Sequence, residues 1–144
     1  MPEVDFGDGE FLSTYIKRIE DAERDYFARF PDRGIVLSTD IEPVVLRQGE
    51  ITRTQILWRV YQHPMAYIVN APAGTKVPEH SHDEDIFRLM MSGALVVSVN
   101  GEEYKIDDSM WFVVRAGFRY SIRSDAGYKA LVTYTFVCAP ATRR

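Results

Sequence analysis

Between residues 8 and 30 the apolar positions recur at spacings of three and four. They are Phe11, Leu12, Tyr15, Ile16, Ile19, Ala22, Tyr26, Phe27 and Phe30. Lys17, Arg18, Glu20, Asp21, Glu23 and Arg24 fill the intervening positions. A helix carries residues three and four apart on one side, so the pattern predicts an amphipathic helix from about Asp8 to Phe30. Asp8 is the expected N-cap, and Pro31 followed by Gly34 the stop. The aromatic stripe is expected to pack on the body of its own domain or across a dimer.

After Gly34 the period changes. Short runs of Val, Ile, Leu and aromatics alternate with Gly, Pro, Asn and Asp, the rhythm of an all-β sandwich or barrel. Strands are predicted near Gly34–Ser38, Val44–Leu46, Thr54–Tyr61, Met65–Asn70, Lys76–His82 and Ile86–Met91. Further strands follow near Ala94–Val99, Glu102–Ile106, Ser109–Val114, Arg119–Arg123 and Ala130–Val137. Asn100-Gly101 is the strongest hairpin signal, because a type I′ turn needs positive φ at both central residues. The expected organisation is a helical extension over residues 1–33 and a β-barrel domain over 34–144.

Composition narrows the function classes. With 144 residues, 46% of them hydrophobic and 26% charged, the chain fits one ordinary globular domain. A net charge of −4 and the lack of a helix-turn-helix pattern speak against a nucleic-acid binder. Cys138 is the only cysteine, so no intramolecular disulfide or zinc ribbon is expected. No apolar run has membrane-spanning length, and the acidic start MPEVDFGDGE is unlike a signal peptide. The expectation is a cytoplasmic protein, with no membrane or nucleic-acid partner and a small molecule as its ligand.

Candidate chemistry concentrates in GTKVPEHSHDEDIFRLMMSG, Gly74 to Gly93. His80 and His82 stand at i and i+2, which on a strand puts both side chains on one face. Two imidazoles can then converge on one metal ion. Glu84 has the same parity and could supply an oxygen; Asp85 could do so across a bulge. Three such ligands with an open position suit zinc or ferrous iron. The competing reading makes Asp83, Glu84 and Asp85 a solvated turn and leaves the histidines in a metal-free pocket.

The spacing of this stretch resembles the first motif of the cupin superfamily, G-x5-H-x-H-x3/4-E-x6-G, with Gly74, His80, His82 and Gly93 in register. A second, looser motif falls between Asp107 and Arg123, with Gly117 at its inner glycine. The resemblance spans roughly residues 65–137 and implies a double-stranded β-helix, or jelly roll, and often a homodimer. It also implies a divalent metal such as Fe, Mn, Ni or Zn. Three positions depart from the pattern: Ile86 stands at the carboxylate ligand, Tyr120 at the second-motif histidine and Arg115 at its proline.

Strand alternation puts Arg88, Met90 and Ser92 on the face of Ile86. An arginine on an interior face must meet an acid or a ligand. Arg88 is therefore either the anchor for a carboxylate or phosphate, or the ion-pair partner of Glu84 or Asp85. Tyr120 would face the same cavity as a hydrogen-bond donor, an acid/base or a phenolate ligand, or else cap the core. Trp58, Tyr61, Tyr67, Trp111 and Phe112 are expected in the core or pocket wall, and Arg115, Arg119 and Arg123 along a basic edge. His63, outside both motifs, is given no role, and Cys138 is expected to be buried. The expected function is a metal-dependent enzyme acting on a small anionic organic molecule by oxygenation, isomerisation, elimination or cyclisation. In it His80, His82 and Glu84 hold the metal, Arg88 anchors the substrate and Tyr120 moves a proton. The alternative is a non-catalytic small-molecule or carbohydrate binder without a functional metal.

Overall fold

A computed structural model of the chain describes residues 3–5 and 11–135. In chain order its elements begin with β1 (Glu3–Asp5), α1 (Leu12–Arg29), β2 (Ile35–Leu37), β3 (Val44–Gln48) and β4 (Ile51–Gln55). Then come β5 (Met65–Ala71), β6 (Thr75–His80), β7 (Ile86–Gly93) and β8 (Leu95–Val99). The last are β9 (Glu102–Ile106), β10 (Trp111–Val114), β11 (Tyr120–Ser124) and β12 (Tyr128–Tyr134). They form two compact units: Met1–Asp32 with Thr39–Val60, and Arg33–Ser38 with Tyr61–Arg144. The segment Thr39–Val60 thus groups with the helix. The expected cap Asp8, the end of the expected last strand and Cys138 lie outside the described residues.

In the first unit, β1 pairs in parallel with β3, and β3 pairs antiparallel with β4. Phe11, in extended conformation, holds the N-cap position of α1 without a side-chain cap bond. Ile19 and Tyr26 are fully buried. Tyr26 and Phe27 meet the Trp58 ring edge-on, with centroids 6.0 and 5.6 Å away, so the aromatic stripe packs within its own unit. Glu23 departs from the helical-face expectation: it is buried, ion-paired with Arg59 and accepting the Arg59 backbone N–H at 2.9 Å. This also explains why the strand predicted over Thr54–Tyr61 is replaced. The strand runs over Ile51–Gln55 instead, and Val60–Gln62 makes a 3-10 turn. The Arg59 amide there is satisfied by a carboxylate, not by a ladder partner.

The second unit is built from two antiparallel sheets, β2-β10-β7-β12-β5 and β6-β11-β8-β9. Their inner faces share one core that includes Ile35, Met90, Leu95, Val97, Ile106, Phe112, Ile122 and Ala130. Alternation is clean on β8, where Leu95, Val97 and Val99 are buried and Val96 and Ser98 less so. Asn100 and Gly101, at φ 54° and 81°, turn β8 into β9 as the type I′ signal predicts.

Two bulges set what faces inward. Between the pairs Ile122↔Val77 and Tyr120↔His80, β6 carries one residue more than β11. The extra residue lies at Pro78–Glu79, on an edge strand, where a proline without a donor N–H is tolerated. It lets both Val77 and His80 turn to the interior. On β7, Met90 pairs with Ala130 but Ser92 with Lys129, so Met91 is the extra residue. The parity then flips, and Ser92 is exposed with Lys129. Its expected place on the Arg88 face is lost for that reason.

Candidate functional site

One end of the second unit's interior gathers the polar side chains. His80 closes β6 and Tyr120 opens β11 directly opposite, their ring centroids 4.5 Å apart. His82 lies just beyond β6, held by the Gly117 N–H, which donates to its carbonyl at 2.8 Å. The two imidazoles are 4.8 Å apart, edge to face. Arg88 reaches in from β7, opposite Val132 of β12 and Phe112 of β10. His80, His82, Tyr120 and Arg88 therefore come together.

The hydrogen bonds order the cluster around one hydroxyl. Arg88 donates through Nη2 to Tyr120 Oη at 2.9 Å, and the same Oη lies 3.0 Å from His82 Nε2. Arginine only donates, so the phenol accepts from Arg88. His80 Nδ1 meets the Pro78 carbonyl at 2.8 Å, which leaves its Nε2 as the outward nitrogen. The guanidinium also lies over the Tyr120 and Phe112 rings at 5.3 and 5.8 Å. Its Nη1 is buried with no hydrogen-bond partner among the described residues.

The acids of the motif go elsewhere. Glu84 accepts the Thr135 backbone N–H at 2.8 Å, and Asp85 accepts that of Ala116 at 2.9 Å. Both serve as loop fasteners. Arg119 and Arg123, from the expected basic edge, pair with Glu79 and Glu103 at 3.3 and 2.6 Å. Arg115 donates to the Arg33 carbonyl at 2.7 Å. His63 meets the Thr133 hydroxyl at 2.9 Å.

Beside the cluster is a cavity of about 320 Å³, lined by His80, His82 and Arg88 and by Val69, Val77, Ile86, Ile122 and Val132. Tyr128 and Tyr134 of β12 complete the lining. Apolar walls with a few convergent polar groups are the usual make-up of a small-molecule site. Burial pushes the Tyr128 phenol above the ordinary tyrosine range, with the Arg88 charge pulling the other way.

Against solved structures, the chain is similar to an RmlC-like cupin from Shewanella frigidimarina NCIMB 400, with a TM-score of 0.50 and 17% identity. That match covers 54% of this chain and 70% of the other. It is similar to a cupin superfamily protein from Desulfitobacterium hafniense DCB-2 at TM-score 0.48 and 14% identity, over 72% and 78% of the two chains. The fold is a cupin fold. A conserved protein of unknown function from Streptococcus pyogenes also matches, at TM-score 0.46 and 18% identity. There the match covers 50% of this chain and 64% of the other, under two thirds of that protein's length. No family model and no curated protein matches the chain.

A cupin pocket raises the question of a metal, and the donor set here answers it chemically. His80 Nε2 is well prepared, since a carbonyl holds the other nitrogen as in many metal-ligating histidines. His82 Nε2 instead faces the Tyr120 hydroxyl. No three of His, Cys, Asp and Glu gather to hold a cation among the described residues. Ile86, at the carboxylate position, is buried hydrocarbon, and Glu84 is engaged with Thr135. The strongest charge in the cluster is the Arg88 guanidinium, of the wrong sign for a neighbouring divalent cation. The residues present do not fit a resident metal.

Tyr128 and Tyr134, the two tyrosines of the lining, escaped the sequence reading, as did four of its aliphatic members, Val69, Val77, Ile122 and Val132. The signal for the tyrosines was available: Tyr128, Ala130, Val132 and Tyr134 share one parity on β12. The strand is expected over Ala130–Val137 and starts two residues earlier, at Tyr128, which therefore falls outside the expectation.

Proposed function

We propose that this cupin binds a small organic carboxylate, with Arg88 as the anchor and without a resident metal. The observation that carries the reading is Arg88 itself. It lines the cavity, pairs with no acid among the described residues and buries an Nη1 that has no acceptor. An unpaired buried charge is costly, and a carboxylate supplies both the counter-charge and the missing acceptor. Tyr120 holds the guanidinium in place through Nη2, and His82 in turn orients Tyr120. The apolar walls take the rest of the ligand.

Calorimetric titration of the purified protein with benzoate and butyrate tests this. Binding by the wild type, weakened about 10- to 150-fold in Arg88→Met, is expected from the loss of a charge-assisted bond. Absence of any carboxylate binding by folded wild-type protein would overturn it. A second reading is favoured by one observation, the two imidazoles 4.8 Å apart: a metal-dependent enzyme acting on the same class of anion. Elemental analysis of protein purified without tag or chelator separates the two. Near one equivalent of Fe, Mn, Ni or Zn, absent from a His80→Ala/His82→Ala double variant, would replace the first reading by the second.

A further inference from the structure

Two tyrosines stand among the residues that line the cavity. Tyr128 and Tyr134 both line it from β12, separated on the inner face by Ala130 and Val132. Tyr134 is backed by Tyr67 of β5, with ring centroids 5.8 Å apart and planes 26° from parallel. Tyr67 shares the parity of Val69, a lining residue, and is partly exposed, so the stack carries the aromatic surface outward along the strands. His80 and His82 add two further rings to the lining.

From this arrangement we infer that the ligand is an aromatic monocarboxylate, its ring beside Tyr134 and its carboxylate toward Arg88. The inference rests on the carboxylate reading above and narrows it. Charge sets the number of negative groups: among the described residues Arg88 is the only Lys or Arg in the lining, so a single carboxylate balances it and a phosphate dianion does not. Ring chemistry sets the body of the ligand. A planar ring gains offset-stacked or edge contacts with tyrosine and imidazole beyond the burial of its area, and a saturated ring of similar size gains only the burial. Val77, Ile122 and Val132 give such a ring smooth apolar sides. Tyr67 behind Tyr134 limits the rotamers open to Tyr134, so less side-chain entropy is lost on binding.

The test compares benzoate with cyclohexanecarboxylate by calorimetry on the full chain, in wild type, Tyr134→Leu and Tyr134→Phe. Wild type is expected to prefer benzoate roughly two- to tenfold. Tyr134→Leu should lose that preference while still binding both acids, and Tyr134→Phe should keep it. Equal affinities in the wild type would overturn the aromatic inference and leave the carboxylate reading standing. A preference that survives in folded Tyr134→Leu would overturn the role of Tyr134. Failure of wild type to bind either acid would overturn the carboxylate reading and this inference together. Should Tyr134→Leu fail to fold, the wild-type comparison alone still decides the ligand class.

Discussion

The interior of the strand-built unit has two ends, and they are made differently. At the far end β8 and β9 close over Leu95, Val97 and Ile106, and the chain crosses itself at Gly93 and Gly127. Packing there is largely apolar, with the buried hydroxyl of Ser124 donating to the Ala94 carbonyl at 2.6 Å and accepting the Gly127 N–H at 2.9 Å. At the near end β6, β7 and β11 bring His80, Arg88 and Tyr120 together with His82, and one hydroxyl ties Arg88, Tyr120 and His82. The first end supplies stability through dense packing. The second gives up packing for a charge and a cavity, and substitutions at the two ends should therefore separate stability from binding.

The largest effect is expected where backbone meets backbone. Gly93 sits at φ 80°, and a Cβ there would lie 2.2 Å from the Gly127 carbonyl oxygen. Gly93→Ala faces both left-handed strain and a clash that no rotamer relieves, and should cost about 4 kcal/mol or more. Urea denaturation reads it. A midpoint close to wild type would show that this crossing yields, and the far end would not be the rigid one. Next comes Ile106→Ala, fully buried among apolar neighbours, at about 2–5 kcal/mol. Carboxylate affinity in that variant should stay at the wild-type value, because Ile106 does not line the cavity.

The same contrast explains what the sequence let one read. Strands β8 and β9 follow simple alternation and one turn rule, so both strands and the Asn100-Gly101 turn between them appear where the pattern puts them. His80 and His82 converge, but not by uninterrupted alternation. The bulge at Pro78–Glu79 resets β6 so that Val77 and His80 both face inward. Strand parity cannot see an inserted residue, which is why Ser92, beyond the Met91 bulge, turns away from the face that alternation predicts. Glu84 was equally opaque. Its carboxylate meets a backbone N–H from Thr135, a residue distant in sequence, and no local spacing encodes that contact. The buried Glu23–Arg59 pair has the same origin.

At the near end the comparison runs in reverse. Arg88→Met removes a partly buried charge whose Nη1 has no acceptor and keeps much of the side-chain volume. Stability should hold or rise by about 1 kcal/mol, since an apolar replacement avoids the desolvation penalty. Chemical denaturation beside the binding titration would show both effects in one variant. A loss of several kcal/mol would mean that Arg88 is a structural member of the core, and the division between the two ends would fall.

The smallest effect concerns Tyr128, which touches both worlds: it belongs to the core cluster and lines the cavity. Burial raises its pKa above the ordinary value of 10.0, against the pull of Arg88. In the unfolded chain the phenol ionises near its ordinary value, while in the fold it keeps its proton to higher pH. Stability from this group is therefore complete below about pH 10 and falls as pH climbs toward the folded value. Tyr128→Phe has no such proton to lose. Its stability curve, followed by denaturation between about pH 9 and 11, should run flatter than that of wild type, with the two closest at neutral pH. Parallel curves would place the Tyr128 hydroxyl in water. The polar end would then reach deeper into the unit than its four clustered side chains.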